Sequence, residues 1–83
     1  MKKEIEELTL LLLYLTSWKE EDLPETMRRS WKGYSFEALN QLIEQDYLRG
    51  SNKAKSIYLT KGGVEQAKQL IKKYLGEIKN ESE

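Results

Sequence analysis

Cysteine and histidine are both missing from these 83 residues, and there is a single proline. Without cysteine there is no disulfide, no thiolate metal ligand and no thiol nucleophile. Without histidine the side chain that most often moves protons near neutral pH is absent, along with the commonest metal ligand. A glycine-rich phosphate loop is also lacking, because Gly62-Gly63 has neither the spacing nor the Lys-Ser/Thr that must follow. The acidic residues do not fall in a calcium-loop pattern, and Ser30 near Lys32 is the kind of pairing that arises by chance. Neither catalysis, a metal centre nor a cofactor is expected. Long hydrophobic runs are absent too: Leu8–Leu15 is far short of the roughly 20 residues of a membrane span. Glu4, Glu6 and Glu7 precede that run and no small-residue cleavage site follows it, which argues against a secretory signal. A cytoplasmic protein with no membrane partner is the expectation.

What is present suits one domain with one hydrophobic core. Hydrophobic residues make up 39% and charged residues 34%, a balance that folds. Fourteen basic residues cancel fourteen acidic ones, but unevenly along the chain. Residues 1–27 hold three lysines against seven acids, whereas residues 28–61 hold seven basic residues against three acids. A neutral chain with a basic middle can present a basic face.

Apolar spacing predicts a first helix from about Lys3 to Trp18, with Ile5, Leu8, Leu12 and Leu15 on one face. Leu10, Leu13 and Tyr14 lie on its other faces, so this helix reads as central to the core. Alternatively, those three residues supply a dimer surface together with the last helix. Pro24 suits the first turn of a second helix over Glu25–Trp31. Ser35 is a good N-cap for a third helix, whose buried stripe is Phe36, Leu39, Leu42 and Ile43. Tyr47–Gly50 and Ser56–Thr60 read as two short strands of an antiparallel hairpin. Thr60 then caps a last helix that Gly62 and Gly63 bring close to other backbone. Its stripe is Val64, Ala67, Ile71, Tyr74, Leu75 and Ile78, with Leu70 at the edge. Gly76 weakens its end, and residues 80–83 are expected to be a disordered tail on a domain of residues 1–79.

This order resembles that of winged-helix proteins: a three-helix unit, a two-stranded wing and a closing helix, in an α+β fold. The pattern Leu39-x-x-Leu42-x-x-x-x-Tyr47-Leu48, then Ile57-Tyr58-Leu59-Thr60-x-x-Gly63, is similar to the third helix through wing of many prokaryotic winged-helix transcriptional regulators. The chain also resembles a small prokaryotic family catalogued as a domain of unknown function. That likeness rests on Leu12-x-x-Leu15-Thr16-Ser17-Trp18, Trp31-Lys32-Gly33-Tyr34 and Ser56-x-Tyr58-Leu59-Thr60.

In DNA-binding winged helices the third helix enters the major groove and the wing touches the backbone. The resemblance therefore implies double-stranded DNA as partner. Arg28, Arg29 and Lys32 before the third helix, with Arg49, Lys53 and Lys55 of the wing, are the expected phosphate contacts. Asn40 and Gln41 are the expected base readers. Against this, the third helix has no basic residue and carries Glu37 and Glu44, and lysines in a hairpin also serve simply to protect a sheet edge. Trp18, Trp31 and Tyr34 are expected to pack in or beside the core. Their alternative role is an exposed aromatic surface that receives a protein partner or stacks on bases, with Trp31 beside Lys32 the best placed for it. A protein-interaction module with little affinity for DNA thus stands beside the regulator reading.

Overall fold

The computed structural model describes residues 2–32, 36–50 and 53–76. The elements run α1 (Lys2–Leu15), β1 (Arg28–Trp31), α2 (Phe36–Glu44), β2 (Leu48–Arg49), β3 (Ser56–Leu59) and α3 (Lys61–Tyr74). The fold is α+β, with three helices and one antiparallel sheet of strand order β1-β3-β2.

One element departs from expectation. Glu25–Trp31 is not a second helix, so the architecture of three helices, a two-stranded hairpin and a closing helix is corrected to three helices and three strands. Pro24 opens a single turn, closed by the Met27 N–H on its carbonyl at 2.9 Å. The chain then extends into β1. Tertiary pairing overrides the local helix signal here, because the open edge of β3 offers a row of backbone partners. Arg28, Arg29, Ser30 and Trp31 pair with Leu59, Tyr58, Ile57 and Ser56. The alternation of a strand follows: Ser30 is buried beside Ile57, while Trp31 stands exposed on the opposite face.

α1 ends at Leu15, short of the expected Trp18, because the hydroxyls after it turn back on its last carbonyls. Thr16 Oγ1 donates to Leu12 O at 2.9 Å and Ser17 Oγ to Tyr14 O at 2.6 Å. Trp18 then makes a two-way backbone bridge to Arg29, at 2.9 Å in each direction.

The core joins Leu10, Leu11 and Leu13 of α1 to Leu39 and Leu42 of α2, Leu48, Ile57 and Leu59 of the sheet, and Val64, Ala67 and Leu70 of α3. Leu70, expected at the edge of its stripe, is fully inside, and Ile71 and Tyr74 pack partly buried against it. The face of α1 that is buried is the opposite of the one the apolar stripe suggests. Leu10 and Leu13 are sealed in the core and Tyr14 packs against it, so these three do not form a dimer surface. Ile5, Leu8, Leu12 and Leu15 face outward. On α2, Phe36, the first helical residue, is likewise exposed and not part of the buried stripe.

The capping predicted for the last helix is present. Thr60 Oγ1 accepts from Gly63 N–H at 3.0 Å and donates to Asp46 O at 2.7 Å, tying the start of α3 to the end of α2. Gly76, at φ 58°, closes α3 with its N–H on Ile71 O at 3.0 Å. Ser35, Tyr34 and Ile78 lie outside the described residues, as do residues 80–83.

Candidate functional site

The hairpin determines where the basic residues go. Along β3 the inward positions are Ile57 and Leu59, so Tyr58 points outward and lies between its register partners, Arg29 on β1 and Arg49 on β2. Arg29 is held in place there. Its guanidinium lies 4.7 Å from the Tyr58 ring centroid and donates through Nη2 to the Tyr58 hydroxyl at 2.7 Å. Its Nε lies 3.9 Å from Glu20 and is buried without a hydrogen bond. Arg49 is exposed and paired with Asp46 at 3.1 Å. Arg28 turns away from this row: it donates to Ser17 O at 2.9 Å and to Ser17 Oγ, and sits over the Tyr14 ring. Both arginines of β1 thus anchor the segment after α1.

The lysines behave differently. Lys32 follows β1, and its N–H donates to Lys55 O at 2.9 Å, so Lys32 and Lys55 flank the same end of the sheet. Lys53 lies in the adjoining turn. Next to them is a shallow groove between α2 and the hairpin, lined by Lys32, Phe36, Asn40, Ile43, Gly50 and Ile57 among others. The two expected base readers part company. Asn40 lines this groove, whereas Gln41, about 100° further round the helix, lines a hollow against α1 with Lys2, Ile5 and Glu37. Glu37 is also on that side, 3.6 Å from Lys2. Of the eight candidate residues, Lys32, Asn40, Lys53 and Lys55 are gathered at one end of the hairpin. Arg29 and Arg49 share the outer sheet face, and Arg28 and Gln41 lie apart from both groups.

Two aromatic residues stand outside the core, Trp31 in keeping with the alternative of an exposed aromatic surface and Phe36 against its expected place in a buried stripe. Trp31 is 61% exposed and Phe36 75% exposed. Trp31 leans on half-buried Trp18, ring centroids 5.3 Å apart and planes tilted by 48°. Strand alternation at Trp31 is the signal that marks it as outward, and it becomes readable only once residues 28–31 are known to be a strand. Among the described residues no group of His, Cys, Asp and Glu is arranged to hold a metal ion. No helix among them is long and apolar enough to cross a membrane.

Over residues 1–77 the chain matches the family model described as Domain of unknown function (DUF6429). The chain belongs to this family. No curated protein and no solved structure matches it. In this DUF6429 chain one described residue from each of the three segments that carried the family resemblance comes to the same part of the sheet. Trp18, Trp31 and Tyr58, one from each, lie on or beside the outer sheet face through the Trp18–Arg29 bridge and the Arg29↔Tyr58 register.

Proposed function

We propose that the chain is a winged-helix-type module that binds double-stranded DNA and acts in transcription regulation. The observation that supports this reading best is the gathering of Lys32, Lys53 and Lys55 at the hairpin end beside the Asn40 side of α2. Lysines so placed suit phosphates of a duplex whose groove receives α2. The helix–hairpin–helix order of α2, β2-β3 and α3 accords with the winged-helix resemblance, β2-β3 taking the role of the wing. In this reading Asn40 makes the base contact, Arg49 adds charge at the rim, and Arg28 and Arg29 hold the scaffold. The test is titration of a labelled mixed-sequence duplex over a salt series. Affinity that falls with salt supports the reading, and no measurable binding near about 50 mM salt, where electrostatic binding is strong, rejects it.

A second reading has its own observation. Exposed Trp31 and Phe36 are the residue types that anchor protein interfaces. Rejection of duplex binding leaves a protein-interaction module built on those aromatics.

A further inference from the structure

A hollow between the segment after α1, the start of β1 and the first two turns of α3 has no part in the reading above. Its volume is about 370 Å³, within the roughly 300–1,000 Å³ of clefts that take small ligands. Lys19, Arg28, Lys61 and Lys68 line it, against only Glu25 and Glu65. It lies at the Arg28 end of β1, away from the Trp31 end where Lys32 and Lys55 gather.

These charges are not spent on one another. Lys61, Glu65 and Lys68 follow at steps of four and three on one face of α3, where ion pairs form readily. Yet among the described residues Lys19, Lys61 and Lys68 make no ion pair, and neither do Glu25 and Glu65.

Arg28 is the fixed member of the group. Its Nε and Nη2 donate to Ser17 Oγ and, at 2.9 Å, to Ser17 O, and its guanidinium lies 5.6 Å from the Tyr14 ring centroid. Those bonds use one fork of the guanidinium. The other fork, Nη1 with the second Nη2 hydrogen, donates to nothing among the described residues. A guanidinium already held in one orientation loses little freedom on binding, and a fork of two parallel N–H groups matches two oxygens of a phosphate.

The carboxylates say what else the ligand carries. Glu25 and Glu65 disfavour a bare anion, but a carboxylate accepts well from hydroxyls. A ligand that joins a phosphate to a hydroxyl-bearing carbon skeleton satisfies both sets of groups.

We propose that this hollow binds a small sugar phosphate. The open fork of Arg28 holds the phosphate together with Lys61 and Lys68, and Lys19 adds charge from the segment after α1. Glu25 and Glu65 accept from the sugar hydroxyls. The site stands independently of duplex binding, since it shares no residue with the group of Lys32, Asn40, Lys53 and Lys55.

Isothermal titration of the full chain with ribose 5-phosphate and with glucose 6-phosphate tests this. At least one should bind with a Kd below about 1 mM, and the unphosphorylated sugars should not bind in that range. Lys61→Ala with Lys68→Ala should weaken binding by about tenfold or more, the scale of lost charge-assisted hydrogen bonds. The melting temperature of that variant without ligand should stay near the parent's, because both side chains are exposed. Lys32→Ala with Lys53→Ala and Lys55→Ala should leave sugar-phosphate affinity unchanged, whatever it does to duplex binding. A parent that takes up neither sugar phosphate overturns the proposal, including one that binds only a duplex or vesicles containing phosphatidylinositol phosphate. Inorganic phosphate binding as tightly as the sugar phosphates also overturns it, as does equal loss of affinity in the two lysine variants.

Discussion

A Cβ added to Gly63 would lie 2.0 Å from the carbonyl oxygen of Tyr47. That oxygen accepts from the Thr60 N–H at 3.1 Å, so it cannot move aside without breaking the junction between α2, β3 and α3. Gly63→Ala is therefore expected to destabilise the fold by about 1–3 kcal/mol or more, as overpacking does. Gly62→Ala is the control: its nearest neighbour is Thr60 Oγ1 at 3.8 Å, and alanine favours a helix. Chemical denaturation of the two variants should shift in opposite directions.

Leu59 is fully buried where β3 meets both neighbouring strands, in register with Arg28 and Leu48. Leu59→Ala is expected to cost about 2–5 kcal/mol, the range for a leucine truncated in a packed core. A variant as stable as the parent in a urea titration would contradict the central position of β3.

The α1–α3 contact has a pH signature. Glu7 Oε1 accepts from Tyr74 Oη at 2.7 Å and Lys73 Nζ at 2.9 Å. The hydrogen bond from Lys73, then that from Tyr74, holds the Glu7 carboxyl below its ordinary value near 4.5. A lowered folded value means that stability from this carboxylate is complete above pH 4.5 and is lost as pH falls through the folded pKa. The hydrogen bond to Glu7 raises both Lys73 and Tyr74, so their contribution is present below their ordinary values of 10.5 and 10.0 and fades as pH rises above them. Melting temperatures of Glu7→Gln across pH should show a shallower acid limb than the parent, and the two curves should converge at low pH.

Charge at the hairpin end separates phosphate grip from base reading. Lys32, Lys53 and Lys55 changed together to alanine should weaken binding to all duplexes alike. The slope of log affinity against log salt should become shallower by roughly 0.9 for each phosphate that is no longer neutralised. Asn40→Ala should leave that slope nearly unchanged and alter sequence preference. Gln41→Ala, on the α1 side of α2, should do neither. Fluorescence anisotropy with two unrelated duplexes distinguishes these outcomes.

Several features were legible in the sequence because each rests on a local rule. The absence of cysteine and histidine excludes disulfide, thiol and imidazole chemistry without reference to any fold. The Thr60 cap, the alternation of Ile57 and Leu59 and the stripe of Val64, Ala67 and Ile71 are written at periods of three to four or of two residues, and all three are realised. Two choices belonged to the tertiary structure. Residues 28–31 become a strand because β3 has an open edge beside them, which no signal within the segment records. The buried face of α1 is chosen by what packs on it: apolar residues surround its middle, so periodicity does not distinguish Leu10 and Leu13 from Leu8 and Leu12. α2, α3 and β1 together cover one side of α1 and leave the other to solvent. Exposure of Trp31 and Phe36 follows from the same cause, since a large apolar side chain is buried only where neighbouring elements reach it.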